Sequence, residues 1–402
     1  MYSQGMVGFG HIRRNASIAM ALRRSGLRPA IAMIAEAWQA GALPLPTGVD
    51  CVTLPAVRRD ENGFFDSRIL EVSHREVIAL RASVIRSVVQ SFEPDLLIVD
   101  QWPLGAAGEL IPALSQIQRR GRTRCVLGLR DVLYDAETVR RVWSTPAHFE
   151  AIRDWYDAVW IYGDPAIYDA LHEYDLPPEI ASKTQYTGYI GQRLRLESMR
   201  TSAAVPLPTL PPGKIVLCVV GGGHDGAALT EAFAQAELPP GNTGVIVNGP
   251  LMGSPMRRRV QRLARDRSNL VVLDFVEDTT PLIERADRVI AMGGYNTVCE
   301  VLSFAKHALI VPRVHPEPEQ WIRAERMRNL GLLDVLHPDH LTSDALSTWL
   351  ARDLGPAPDV RSRVDMGALR RVPRMVSELL GARTAHALSA HAARRVSGGW
   401  TQ

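Results

Sequence analysis

The sequence predicts an α/β protein made of two Rossmann-like domains that face each other across a cleft. Short apolar runs alternate with amphipathic helical patterns along the chain, which is typical of βαβ units around a parallel sheet. A glycine turn opens a strand-to-helix unit in each half, and a proline-rich stretch between the halves predicts a linker. At 402 residues, the chain is also longer than one hydrophobic core usually supports.

The first domain is predicted over residues 1–200. Its glycine turn, residues 8–11, follows MYSQG, which supplies few apolar residues for a strand. We therefore expect a shortened first strand, as if the true start of translation lay upstream. Further strands are predicted over 29–35 (PAIAMIA), 49–55 (VDCVTLP), 95–100 (DLLIVD), 124–130 (RCVLGLR) and 158–163 (AVWIYG), with helical patterns between them, such as residues 75–92.

The second domain is predicted over residues 214–355. The preceding stretch, 201–213, is rich in proline and is therefore unsuited to the interior of a helix or a sheet. We expect the last segment, 356–402, to be helical and to pack back on the first domain before its final residues fray. The strands of the second domain are predicted over 214–220 (KIVLCVV), 243–249 (TGVIVNG), 269–275 (NLVVLDF), 288–294 (RVIAMGG) and 307–313 (HALIVPR).

The composition argues against several classes of protein. The net charge is only +3 and the arginines are scattered, so the chain lacks the basic tract of a nucleic-acid-binding protein. No apolar run is long enough for a transmembrane helix, although a peripheral membrane contact stays open. The four cysteines are far apart and show no C-x-x-C spacing, which favours free thiols and a cytoplasmic protein.

Strand ends in the second half predict an anion site. Backbone N–H groups in GGGHDG (221–226) and MGGYNTVCE (292–300) suit phosphates. The carboxylates of Glu300 and of Glu319, in VPRVHPEPEQ (311–320), add acceptors for sugar hydroxyls. A nucleoside diphosphate that bears a sugar requires this combination. Taken singly, each glycine turn could mark only a tight turn, and Glu300 could be a first-turn acid favoured by the helix dipole.

Strand ends in the first half bear groups suited to proton transfer. His11 follows the glycine turn directly, whereas Asp100 and Asp131 each stand at the end of a strand, the latter next to Arg130. An imidazole or a carboxylate at such a position can deprotonate an acceptor hydroxyl, and the sequence does not choose among the three. The arginine pair 13–14 either neutralises phosphate or anchors the turn by pairing with acids.

Several motifs resemble a known family. The stretch RVIAMGGYNTVCEVLSFAKHALIVPRVHPEPEQWIRAERMRNLGL resembles the donor-binding half of glycosyltransferase family 28, including its UDP-N-acetylglucosamine transferases of peptidoglycan synthesis. The preceding NLVVLDFVEDTTPLIERAD is similar to the strand and loop that contact the base in those enzymes. The chain is also similar, over about residues 1–350, to predicted glycosyltransferases of unassigned substrate, through GHIRRNASIAMAL, RCVLGLRDVL, DAVWIYGDPAIYD, YTGYIG and MGGYNT.

This resemblance implies a GT-B fold, a UDP-sugar donor held by the second domain, and inversion at the anomeric carbon without a metal or other cofactor. His11 corresponds to a histidine that acts as a base or contacts the leaving phosphate. The residues implied to contact the donor are Phe275, Val276 and Glu277 beside the uracil, Gly293, Gly294 and Asn296 at the diphosphate, Glu300 at the ribose, and Glu319 and Gln320 at the sugar. Gly10, Gly222, Gly223, Tyr295 and Thr297 complete the predicted donor site, and Arg13 and Arg130 are predicted on the acceptor side.

The sequence therefore predicts an inverting, metal-independent transferase that moves a hexose or N-acetylhexosamine from a UDP-sugar to an unknown acceptor. The first half departs from the lipid-modifying enzymes, because Phe9 and Arg13 stand where their loop has further glycines. Their acceptor-loop sequence is also absent, and Arg130-Asp131 occupies the corresponding strand end. It also lacks a clear apolar and basic helix for docking on a membrane. Two alternatives stay open: a UDP-sugar hydrolase or epimerase of the same fold, and a non-catalytic protein that binds a nucleotide or a glycan. A nicotinamide-dependent oxidoreductase is disfavoured, because neither glycine turn completes the dinucleotide fingerprint.

Overall fold

The computed structural model describes residues 1–4, 10–36, 45–59, 65–143, 146–202, 210–211 and 213–381. Within these ranges, the predicted α/β class with parallel sheets is confirmed. Gly8, Phe9, most of the proline-rich stretch and residues 382–402 lie outside the described residues. No helix in the described part of the chain is both long and apolar enough to cross a membrane.

The first domain contains a parallel sheet in the order β2-β1-(1–4)-β5-β6-β7-β8. Tyr2 bridges Ile34 on one side and Val99 on the other, so the short first segment lies between two longer strands. The strands are β1 (Ile31–Glu36), β2 (Val49–Leu54), β5 (Leu96–Asp100), β6 (Arg124–Arg130), β7 (Ala158–Tyr162) and β8 (Thr184–Tyr186), and β3 (Val57–Arg59) pairs separately with β4 (Phe65–Ser67). The helices are α1 (Gly10–Arg24), α2 (His74–Phe92), α3 (Ile111–Arg120), α4 (Ala136–Trp143), α5 (Pro146–Trp155), α6 (Ala170–Glu173), α7 (Pro178–Ala181) and α8 (Arg193–Ser202).

The second domain contains six parallel strands in the order β11-β10-β9-β12-β13-β14, which is the doubly wound Rossmann order. The strands are β9 (Lys214–Val219), β10 (Asn242–Val247), β11 (Leu270–Leu273), β12 (Arg288–Ala291), β13 (His307–Ile310) and β14 (Asp334–Val335). The helices are α9 (Ala227–Gln235), α10 (Ser254–Ala264), α11 (Thr280–Arg285), α12 (Tyr295–Ser303), α13 (Glu319–Asn329), α14 (Ser343–Ala351) and α15 (Val360–Arg363).

The short strands β3, β4, β8 and β14 were not among the predicted elements. Each has two or three residues, which is too few for an apolar alternation to stand out in the sequence. The longer strands differ from their predicted bounds by only a few residues, because their apolar runs are buried on both faces, as in β7, where every residue is buried.

Helix α1 places one of its faces in the core and another toward the second domain. Ile18 and Leu22 are buried in the core, and Arg13, Ser17 and Met20 line the interdomain cleft, although Ser17 and Met20 are themselves largely buried. This division follows the helical repeat, in which residues three and four apart share a face.

The chain returns to the first domain after α15. A helix over residues 368–381 follows, and its Val372 belongs to the same apolar core as Tyr189 of the first domain. The backbone N–H of Tyr189 donates to the carbonyl of Asp365 (2.7 Å), and that of Ala368 donates to the carbonyl of Tyr189 (3.2 Å). The chain therefore connects the two domains twice, first through the segment after α8 and again through this C-terminal segment.

Candidate functional site

Two helix N-termini from different domains meet at the centre of the cleft. Gly10 is the first residue of α1, and Asn296 is the second residue of α12. The amide Nδ2 of Asn296 donates to the carbonyl of Gly10 at 3.0 Å. No side chain caps α12 at Gly294, where a Cβ atom would meet nothing within 4 Å. Backbone N–H groups at an uncapped N-terminus such as that of α12 favour a bound anion.

His11 and Asp100 form a hydrogen-bonded pair beside these N-termini. His11 Nδ1 lies 2.6 Å from Asp100 Oδ2, and Arg14 donates to the other oxygen of the same carboxylate. The imidazole keeps 18% of its surface exposed, whereas Asp100 and Arg14 are buried. An ionised carboxylate can only accept, so Nδ1 donates to Asp100 and Nε2 is left as the basic nitrogen.

The surroundings keep this pair in the form that a base requires. Burial lowers the pKa of His11; Asp100 opposes this effect, and the cations of Arg14 and Arg130 reinforce it. Burial by itself would raise the pKa of Asp100, but Arg14 and His11 outweigh it and hold that pKa below its usual value. Near neutral pH the pair is therefore a neutral imidazole next to a carboxylate.

Asp131, the third predicted base, has a different place in the structure. It is fully buried, and its two oxygens accept from Arg323 Nε (2.7 Å) and Nη2 (2.6 Å). The hydroxyl of Tyr189 donates to the same carboxylate at 2.8 Å. This geometry argues against the predicted role of Asp131 as a base, because its oxygens already bind three donors and it has no access to the cleft. Arg130, its neighbour, is half-buried and adds positive charge near His11.

The two arginines after the glycine turn anchor α1. Arg13 donates to the backbone carbonyl of Glu277 in the second domain, and Arg14 forms the ion pair with Asp100. Of the two roles considered for this arginine pair, neutralising phosphate or pairing with an acid, Arg14 has the second in this structure.

Tyr295 lies in the interface between the domains. Its side chain is buried, and its hydroxyl donates to the carbonyl of Tyr162 at 2.8 Å. Its ring lies between the guanidinium groups of Arg14 (5.6 Å) and Arg323 (5.7 Å), at cation–π distances. Tyr295 was predicted to contact the nucleotide-sugar donor, but its side chain holds the domains together. Only its backbone is left to face the proposed anion site.

Glu300 and Glu319, the two predicted acceptors, are both buried, and Glu300 lines the cleft. Glu300 accepts from the hydroxyls of Thr280 (3.0 Å) and Thr279 (3.3 Å), and burial raises its pKa. Glu319 Oε1 accepts from Arg313 at 2.6 Å, whereas Glu319 Oε2 has no hydrogen-bond partner among the described residues. Because buried polar atoms are normally paired, this oxygen has the capacity to accept one more hydrogen bond.

Gln320 and the turn of Gly222 and Gly223, which were also predicted to bind the donor, lie at the same edge of the second sheet. The amide oxygen of Gln320 accepts from the N–H of Arg313 at 3.1 Å, and Arg313 also pairs with Asp225 at 3.2 Å. This pair links the loop between β13 and α13 to the turn of Gly222 and Gly223, which precedes α9. Gly223 requires its φ of +83° and packs so closely on Gly249 that a Cβ atom would be only 2.6 Å from it.

The loop after β11 presents an exposed aromatic ring. Phe275 is 49% exposed, and Val276 is partly buried against the core. A large aromatic side chain with an exposed face is suited to cover a flat group, such as a base. Glu277, with Asp278, lines the cleft itself, and Gly293 packs under Gln320. Thr297 is half-buried in the first turn of α12.

The cleft has a volume of about 660 Å³ and is lined by both domains. Its walls include Asn296 and Glu300 from α12 and Arg13 from α1, which the sequence predicted. The residues that sequence analysis missed come from α1 and the turn after it, from the loop before β2, from the loop after β11, and from α8 and the residue before it: Ala16, Ser17, Met20, Arg23, Arg24, Arg28, Leu45, Pro46, Thr47, Gln192, Arg195, Ser198, Met199 and Asp278. Ser17, Met20 and Asp278 lie within recognised motifs, but a local motif does not show which side chains face the cleft. The residues of α8 belong to no motif, and only the packing of that helix between the domains places them at the cleft.

Comparison with known proteins identifies the second domain. Residues 216–357 match the glycosyltransferase family 28 C-terminal domain. Among solved structures, the chain is similar to CalG4, the calicheamicin glycosyltransferase, with a TM-score of 0.61 and 15% identity over 94% of this chain and 98% of that one. This likeness confirms the predicted GT-B fold of two Rossmann-like domains.

Similarity to curated proteins covers only part of the chain. An uncharacterized glycosyltransferase of Methanosarcina acetivorans is 22% identical over 252 residues, which are 62% of each chain. A UDP-N-acetylglucosamine--N-acetylmuramyl-(pentapeptide) pyrophosphoryl-undecaprenol N-acetylglucosamine transferase of Haemophilus ducreyi is 24% identical over 138 residues, which are 34% of this chain and 38% of the relative. The matched region thus covers less than two thirds of either relative.

Proposed function

We propose that this protein is a glycosyltransferase that moves a hexose or N-acetylhexosamine from a UDP-sugar to the hydroxyl of an acceptor, with inversion at the anomeric carbon. The observation that supports this proposal most directly is the hydrogen-bonded pair of His11 and Asp100 beside the joined N-termini of α1 and α12. A base and an anion site lie next to each other at the carboxyl ends of both sheets, where ligands of such folds bind.

In the proposed reaction, Nε2 of His11 takes the proton of the acceptor hydroxyl while that oxygen attacks the anomeric carbon. The bond between this carbon and the β-phosphate oxygen breaks, and UDP leaves from the opposite face. Asp100 holds the imidazole by Nδ1 and stabilises the imidazolium that forms. Backbone N–H groups at the start of α12 stabilise the negative charge of the leaving diphosphate, so the proposal includes no required metal.

The donor side of the proposal rests on the second domain. The relative from Haemophilus ducreyi is a UDP-N-acetylglucosamine transferase by name, and the region it matches supports a UDP-sugar here as well. Glu319 offers a buried, unpartnered oxygen to a sugar hydroxyl, and Phe275 offers an exposed ring to the base. A cytoplasmic location is part of the proposal, because all four cysteines are free thiols.

The test is a transfer assay with UDP-glucose, UDP-galactose and UDP-N-acetylglucosamine against a panel of hydroxyl acceptors, with product masses and UDP release as readouts. We expect a glycosylated product, equal turnover with and without EDTA, and inverted anomeric configuration by NMR. Consumption of the UDP-sugar in the absence of any acceptor would indicate a hydrolase or an epimerase. Binding of UDP without any turnover would indicate a non-catalytic binding protein.

A further inference from the structure

Arg195 reaches from α8, in the segment that connects the domains, to the donor side of the cleft. Its Nη1 and Nη2 donate to the two oxygens of Asp278, each at 2.9 Å. Nη2 also donates to the hydroxyl of Thr280. The side chain of Arg195 is only 17% exposed, and that of Asp278 is buried. A forked guanidinium that binds a carboxylate in this way fixes its partner in orientation as well as in position.

The contact continues from Thr280 to Glu300. The Thr280 hydroxyl accepts from Arg195, which has donors only, so its single proton is directed to Glu300 Oε1 at 3.0 Å. Asp278 Oδ1 accepts from the N–H of Thr280 at 3.1 Å and so fixes the backbone of the same residue. The hydroxyl of Thr279 donates to Glu300 Oε2 at 3.3 Å. Arg195 thereby determines where the Glu300 carboxylate points.

Each oxygen of Glu300 can accept a second hydrogen bond, since a carboxylate oxygen has two lone pairs. Two neighbouring oxygens held at fixed positions match two neighbouring hydroxyls, such as the 2′- and 3′-hydroxyls of a ribose. Glu300 and Arg195 both line the same cleft. We propose that Arg195 is a positioning residue that aligns Glu300 with a vicinal diol, so that the cleft selects ribonucleoside diphosphates over 2′-deoxyribonucleoside diphosphates. This inference rests on the proposed function, because it takes Glu300 as the ribose contact.

Stability alone does not account for Arg195. A largely buried ion pair adds little net stability relative to apolar side chains of similar size, so its presence points to a demand for defined geometry. Arg200 on the same helix provides the comparison. It pairs with Glu284 of the second domain at the surface, with 60% of its side chain exposed, and is not among the residues that line the cleft.

The experiment measures the Kd of UDP and of 2′-deoxyuridine diphosphate by calorimetry for the full chain and its variants. For the unmodified protein, we expect UDP to bind about 10-fold tighter or more, since one lost hydrogen bond to a charged group is worth about that factor. Arg195→Met should reduce this preference to about 3-fold or less, mainly by weakening UDP, because Glu300 loses its alignment. Arg195→Lys should keep an intermediate preference, and Arg200→Met should leave both Kd values unchanged.

The outcomes separate this inference from the proposed function. If the unmodified protein binds UDP but does not prefer it to the deoxynucleotide, or if Arg195→Met weakens both nucleotides equally, the inference is wrong and the proposed function stands. If the unmodified protein binds neither nucleotide, both fail. Should Arg195→Met not fold, as judged by its thermal transition, Asp278→Asn provides the same test, because it removes the carboxylate that holds Arg195 and Thr280.

Discussion

Asp131 at the end of β6 and Arg323 on α13 form a fully buried, two-pronged ion pair that joins the two domains. Arg323 also donates to the carbonyl of Gly293 at 2.9 Å, so the same guanidinium connects the first domain to the glycine turn before α12. This buried cation therefore helps to fix the position of the proposed base relative to the proposed anion site, together with the contacts of Asn296 and Tyr295.

Replacing Arg323 with methionine should destabilise the whole protein. The substitution leaves Asp131 as an uncompensated buried charge, for which we expect a loss of about 3–5 kcal/mol in the free energy of unfolding by urea denaturation. Arg326→Met is the matched control, because Arg326 lies on the same helix as Arg323 but forms an exposed interdomain pair, with Glu173 of α6. Breaking that pair should cost less than about 1 kcal/mol in the free energy of unfolding. Equal losses in the two variants would contradict a special role for the buried pair.

His11→Ala should lower kcat by about 100-fold or more, because general base catalysis usually contributes at least that factor. Asp100→Asn should have a comparable effect, since the amide no longer holds the imidazole in the tautomer that leaves Nε2 free. In both variants the Kd of UDP should change little, which calorimetry can check. Turnover of His11→Ala within a few-fold of the unmodified protein would remove His11 from the mechanism.

The pH dependence of turnover should report the imidazole. A base acts only when unprotonated, so activity is present above the pKa of His11 and is lost as the pH falls through it. Because that pKa is lowered, the acid limb of kcat/KM should lie below about pH 6.5, the ordinary value for histidine. Arg14→Met removes a cation that lowers the pKa, so the limb should move to higher pH. A limb that stays in place in this variant would show that another group titrates.

Glu319→Gln should weaken the recognition of the sugar and leave the nucleotide unaffected. The amide keeps an oxygen for Arg313 but places a donor where the unpartnered Oε2 would accept a sugar hydroxyl. We expect the KM for the UDP-sugar to rise about 10-fold, the factor for one hydrogen bond to a charged group, with an unchanged inhibition constant for UDP. Glu284→Gln is the control, because it breaks only an exposed pair with Arg200, and it should change neither constant.

The sequence allowed the fold and the strand ends to be predicted, because long apolar runs and glycine turns are local signals. It did not allow the partners of the charged residues to be predicted. Asp131 and Arg323 are separated by 192 positions, and Asp131 at a strand end has the same local pattern as Asp100. Only the packing of the two domains distinguishes the carboxylate beside His11 from the one that joins the domains.

The same limit applies to the donor side. Glu300 was predicted from its place one turn inside a helix that follows a glycine pair. Its alignment by Thr280 and Arg195 depends on a helix that is remote in sequence and has no motif of its own. Tyr295 differs from Glu300, because it lies within a recognisable motif but its side chain binds the first domain at Tyr162.

The double connection between the domains restricts how one can move relative to the other. A body attached at a single point can tilt and twist in any direction, whereas a body attached at two points can rotate only about the line through them. Here the C-terminal segment pairs with the first domain at Tyr189, and α8 holds the second domain through Arg195 and Asp278. The buried contacts of Arg323 with Asp131 and of Tyr295 with Tyr162 also join the domains, so any opening of the cleft has to break buried polar contacts as well as turn about these points.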